Sequence, residues 1–152
     1  MPPGPAEWKP VLESAAREVF EVMLKTKLEP VAADSHAATE MIAMVGLSGG
    51  LNGMVSFHCT VDAARRMAAK MLHSESQQPE DTARDAVGEI CNMVAGSFQN
   101  HLGQTGADCK LSVPIIIAGG ACSMQTETMG VHVKVPFRFE GSPIFVALDL
   151  RN

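Results

Sequence analysis

Two hydrophobic periods that cannot share one element divide this chain. In the first, Val87, Ile90, Val94, Phe98 and Leu102 recur at helical spacing. In the second, Val131, Val133, Val135, Phe137 and Phe139 alternate strictly with His132, Lys134, Pro136 and Arg138. At about 100° per residue the first set forms one stripe along a helix, and the second set faces one side of a strand. A helix from about residue 81 to 102 must therefore coexist with a sheet that buries one face, and each can serve as cover for the other. Gly103 is placed to stop the helix, and Gly141-Ser142 turns the strand back into residues 143–150.

The remaining elements fall around this pair. Residues 1–10 hold four prolines and read as a flexible arm, and residues 11–152 as a single domain, since 152 residues are too few for two ordinary ones. Leu12, Ala15, Ala16, Val19, Phe20 and Met23 predict an amphipathic helix to about Lys27. Apolar runs at 40–47 and 53–59, separated by Ser48, Gly49, Gly50, Leu51 and Asn52, predict an antiparallel hairpin. Thr60 can cap a short helix with Asp62 in its first turn and Ala64, Met67, Ala68 and Met71 as its stripe. A strand at 111–117 and another at 121–126 complete an α+β fold, a mainly antiparallel sheet with helices packed on it.

Several function classes are excluded or disfavoured by composition and spacing. A net charge of −5, with no local cluster of Lys and Arg, lacks the electrostatic footprint of a nucleic-acid binder. The longest apolar run, residues 113–122, falls well short of the roughly 20 residues of a membrane span, so no membrane insertion is expected and the protein is placed in the cytoplasm. Cys59, Cys91, Cys109 and Cys122 are scattered and read as reduced, small core residues. The histidines show no ligand spacing, so no metal site and no cofactor of its own is expected. Met67, Met71 and Met93 read as core filling rather than a soft docking surface. Gly46-Leu47-Ser48-Gly49-Gly50 matches G-x-S-x-G formally, but a strand follows it where a nucleophile elbow requires a helix.

Chemistry points instead to the other side of the long helix, where Asp85, Glu89, Asn92, Gly96 and Gln99 form a continuous polar stripe. Gly88 and Gly96 interrupt it, each costing roughly 1 kcal/mol relative to Ala in a helix interior. On spacing alone, a solvated face with glycines for packing within the domain is the ordinary explanation.

The run GEICNMVAG (residues 88–96) resembles the Glu-x-x-Asn signature of the CheC/CheX/FliY phosphatases, and the order of elements along the chain is similar to the CheX branch. The opening helix carries Glu18 and Glu21 without an asparagine in register, so the resemblance implies one site, as in CheX. Position 97 is Ser where many relatives have Asn. The resemblance further implies a protein aspartyl-phosphate phosphatase acting on a phosphorylated, CheY-like receiver domain. Asn92 would orient the attacking water and Glu89 would pair with the receiver's active-site lysine. Asp85, Gly88, Gly96 and Gln99 would be partner contacts, and Mg²⁺ would be supplied at the receiver's own site. It also implies a homodimer joined through strands of the carboxyl-terminal half, of which residues 129–140 or 143–150 should present an edge. The alternative is a non-catalytic receiver-binding or dimerisation module of the same fold, against which the intact Glu-x-x-Asn pair speaks.

Overall fold

The structure is a computed structural model that describes residues 5–31, 39–103, 108–119 and 130–151. Helix α1 (Pro5–Met23) leads to the short strand β1 (Glu29–Pro30) and the hairpin of β2 (Met41–Gly49) and β3 (Gly53–Cys59). Helices α2 (Val61–Met71) and α3 (Glu80–Gly103) follow, then β4 (Cys109–Leu111), β5 (Ile115–Ala118), β6 (Val131–Phe139) and β7 (Ser142–Leu150). All pairings are antiparallel. The strands form one seven-stranded sheet in the order β1-β6-β7-β3-β2-β4, with β5 also paired to β2. This is the α+β architecture expected from the two periods.

One face of the sheet packs against the helices. Val55 and Phe57 of β3, Val133, Val135, Phe137 and Phe139 of β6, and Val146 and Leu148 of β7 join Leu12 and Phe20 of α1 and Val87, Ile90, Val94 and Phe98 of α3 in one core. Phe20 is its pivot, with ring centroids 5.8 Å from both Phe57 and Phe139. Met67 is fully buried, and Met71 and Met93 pack partly buried against the core, in keeping with a filling role. Cys59, Cys91 and Cys109 are buried free thiols, and burial pushes the first two up to about 12, where no reactive thiolate forms at neutral pH. Cys122 and the strand expected at 121–126 lie outside the described residues.

Turns and caps account for most boundaries. Thr60 Oγ1 accepts from the Ala63 N–H at 3.1 Å, the expected cap of α2. Asn52 exchanges two hydrogen bonds with Gly49 across the first hairpin. Glu140 and Gly141, at φ 48 and 84, give the second hairpin its two left-handed residues.

Three expectations need correction. Helix α1 begins at Pro5, not residue 11: Pro5 stands in the first turn, where proline is tolerated, the buried Trp8 packs on Phe98 at 5.5 Å, and the helix runs on through Pro10 in its interior. It ends at Met23, where Lys25 turns left-handed and the Thr26 N–H bonds back to the Phe20 carbonyl. The single strand at 111–117 is two: Pro114 lacks a donor, and at Ser112 the backbone N–H still donates to the Gly46 carbonyl at 3.0 Å while the side-chain Oγ accepts from the Gly46 N–H at 2.8 Å.

Among the described residues the sheet has two outer sides. Strand β7 is internal, between β6 and β3, so β6 is the edge of the second hairpin, covered by β1 only at Phe137 and Arg138. The other is formed by β4 and β5, which both pair with β2, and around β5 Val113, Ile115 and Ile117 are exposed.

Candidate functional site on helix α3

Helix α3 lies across the sheet with Val87, Ile90, Cys91, Val94, Ala95 and Phe98 buried beneath it. Acidic residues Glu80 and Asp81 occupy its first turn, where the helix dipole favours them. Its buried stripe fixes the rotation of the helix, and that rotation turns Asp85, Glu89 and Asn92 outward as exposed side chains. Among the described residues neither Glu89 nor Asn92 has a hydrogen-bond or ion-pair partner. A carboxylate and a carboxamide one helical turn apart are thus both free to meet an external group.

The other four stripe positions divide by their surroundings. Gly88 is buried, and a Cβ there would stand 2.9 Å from Ile116 Cδ1 and 3.8 Å from Pro114 Cβ, so this glycine lets the β5 segment lie close against α3. Gln99 is half-buried and its Nε2 donates to the Cys109 carbonyl at 2.7 Å, tying the helix to β4. Gly96 has open space beside it, and Asp85 is exposed. The stripe is therefore not one uniform surface: Gly88 and Gln99 face the sheet edge, while Asp85, Glu89, Asn92 and Gly96 face outward.

On the opposite flank, Ser97 Oγ donates to Glu18 Oε2 at 3.3 Å and links α3 to α1. The residue that departs from the family pattern thus has a contact within the chain. That link, and the packing of Pro114 and Ile116 on Gly88, escaped sequence reasoning. Both join residues distant in sequence, and only the run of apolar residues after Ser112 hinted at a strand close to the helix. Among the described residues no group of His, Cys, Asp and Glu could hold a metal ion, and no helix is long and apolar enough to cross a membrane.

A seven-stranded antiparallel sheet with its helices packed on one face is the fold of solved CheX, CheC-like and FliY proteins. Within that class the family model for the chemotaxis phosphatase CheX matches residues 41–138, and the chain belongs to the CheX family. It is similar to the CheY-P phosphatase CheX of Thermotoga maritima, 23% identical over 121 residues that cover 79% of this chain and 77% of that protein. Its fold matches the chemotaxis protein CheX from Vibrio vulnificus with a TM-score of 0.85 at 21% identity, covering 99% of this chain and 100% of that one. A chain of the CheX-CheY-BeF3-Mg²⁺ complex from Borrelia burgdorferi matches with a TM-score of 0.80 at 22% identity, covering 94% and 97%.

Proposed function

We propose that this protein is a response-regulator phosphatase that hydrolyses the aspartyl phosphate of a CheY-like receiver in the cytoplasm. The observation that carries this reading is the outward placement of Glu89 and Asn92 on α3, without a partner among the described residues, in a chain of the CheX family. A relative of this fold has been seen with CheY, BeF3 and Mg²⁺, which supports a receiver as the partner.

An acyl phosphate on a receiver arrives with its own Mg²⁺ and lysine, so the second protein need only place a water and fix its own position. Asn92 accepts a hydrogen bond from the water through its carbonyl oxygen and holds it in line with phosphorus. The carboxamide is too weakly basic to remove the proton outright. Because phosphoryl transfer passes through a loose transition state, placement and electrostatics matter more than a strong base. Glu89, three residues earlier on the same face, pairs with the receiver's lysine and sets how far the helix enters. Asp85 borders that contact. Gly88 and Gln99 act from behind, by seating α3 on β5 and β4.

We infer in addition that the protein is a homodimer. Of the two outer sides among the described residues, β6 carries Lys134 and Pro136, which blunt edge pairing, whereas β5 and the residues leading into it carry exposed Val113, Ile115 and Ile117. The interface is therefore assigned to β5 rather than to the second hairpin.

The test of the phosphatase reading is phosphate release from phosphorylated CheY with and without this protein, in Mg²⁺ and after chelation. Release should be accelerated only when Mg²⁺ is present. No acceleration, or metal-independent hydrolysis of generic phosphoesters, would contradict it.

A further inference from the structure

Helix α3 has two interior glycines, and the described residues explain only one of them. Gly88 is required by the approach of Ile116 and Pro114. At Gly96, well inside the helix, a Cβ would meet no heavy atom of another described element within 4 Å. The backbone at 96 is ordinary right-handed helix with no positive φ, so neither conformation nor internal packing calls for glycine. An alanine would favour the helix more, at no steric cost among the described residues.

What the missing side chain leaves is a notch on the outward stripe, four residues beyond Asn92 and seven beyond Glu89. Any surface that lies over Glu89 and Asn92 continues over this notch. We propose that Gly96 is a specificity-determining residue of the docking face, and that receiver backbone beside the phosphorylated aspartate seats in the space a side chain at 96 would fill. This inference rests on the phosphatase reading above. It adds to it a steric requirement, under which the helix gives up intrinsic stability at one position so that Asn92 can reach the phosphoryl group.

The test compares Gly96→Ala and Gly96→Leu with the wild type in three measurements: thermal unfolding, binding to CheY loaded with BeF3⁻ and Mg²⁺, and phosphate release from phosphorylated CheY. Gly96→Ala should raise Tm by about 2–4 °C, from helix propensity alone. Filling a fitted contact should weaken CheY binding by roughly tenfold for Ala and about a hundredfold for Leu. The loss should appear chiefly in apparent KM, with kcat at saturating CheY falling further for Leu than for Ala as Asn92 is held back from the phosphoryl group. The proposal is overturned if Gly96→Leu binds and turns over like wild type. It is also overturned if weaker binding comes with a lowered Tm, which would make Gly96 a packing glycine. A change in the protein's own mass with CheY binding intact would assign the notch to a second copy instead, and would overturn it too. Failure of the underlying reading shows separately, as wild-type protein that neither binds loaded CheY nor speeds loss of its phosphate.

Discussion

At the scale of single residues, Asn92 and Glu89 have separable duties. Asn92 is exposed and bonded to nothing described, so Asn92→Ala should leave the fold and most receiver affinity intact. Losing the group that places the water should still lower stimulated dephosphorylation on the order of 10²-fold or more. Paired binding and phosphate-release assays check this, and near-normal turnover in the variant would remove Asn92 from the mechanism. Glu89→Gln should act on docking, because a charge pair in a contact that excludes water typically loses about 2–5 kcal/mol when one partner goes. A titration with loaded CheY that matches the wild type would rule that role out. The pair itself was legible in the sequence because a helical stripe fixes which residues share a face. Its neighbours were not: Gly88 and Gly96 look alike on a helical wheel. Only the tertiary position of Ile116, beside one and not the other, tells an internal glycine from an external one.

At the scale of elements, strict alternation in β6 and β7 and the capped start of α2 could be read directly, since period and cap chemistry are local. The pairing of β1 with β6 and the early start of α1 depend on partners far away in sequence, and of the split between β4 and β5 the local pattern carries only Pro114. The same is true of His58, which reads as an unremarkable histidine in an apolar strand. In the fold it is buried on β3, stacked at 3.9 Å on Phe145 of β7 and sharing a 2.8 Å hydrogen bond with Ser56, while Lys134 lies 4.1 Å from the centre of the Phe145 ring. Burial, with Lys134 adding to it, lowers the His58 pKa from 6.5 to about 4. The unfolded chain therefore binds this proton more readily than the native one. Stability is full above pH 6.5, declines as pH falls from there towards 4, and is lower by about 3 kcal/mol once both states are protonated. Denaturant unfolding at pH 7 and pH 4.5 should show a smaller acid-induced loss for His58→Phe than for wild type. Equal losses would mean that His58 is not buried in its neutral form.

At the scale of the whole molecule, the decisive feature is how unevenly the sheet protects its sides. Along β6, Lys134 and Pro136 interrupt the edge and β1 covers Phe137 and Arg138. Around β5, Val113 is 79% exposed, Ile115 59% and Ile117 46%, three uncharged side chains of one alternating row. Among the described residues nothing blunts this edge, and an antiparallel contact about a two-fold axis would match each β5 with its own copy. The inner side of the strand is already committed, because Ile116 packs on Gly88 of the motif helix, so pairing at the edge would also stiffen the seat of Glu89 and Asn92. Light scattering at micromolar concentration should therefore return twice the 16.2 kDa of one chain. Ile115→Lys should shift the protein to monomer, since a lysine on an edge strand, which meets its own copy across a two-fold contact, blunts strand pairing. It should also lower phosphatase activity less than Asn92→Ala does, because it leaves the outward face of α3 untouched. A wild-type mass near 16.2 kDa would defeat the homodimer, and a dimer that survives Ile115→Lys would move its interface away from β5.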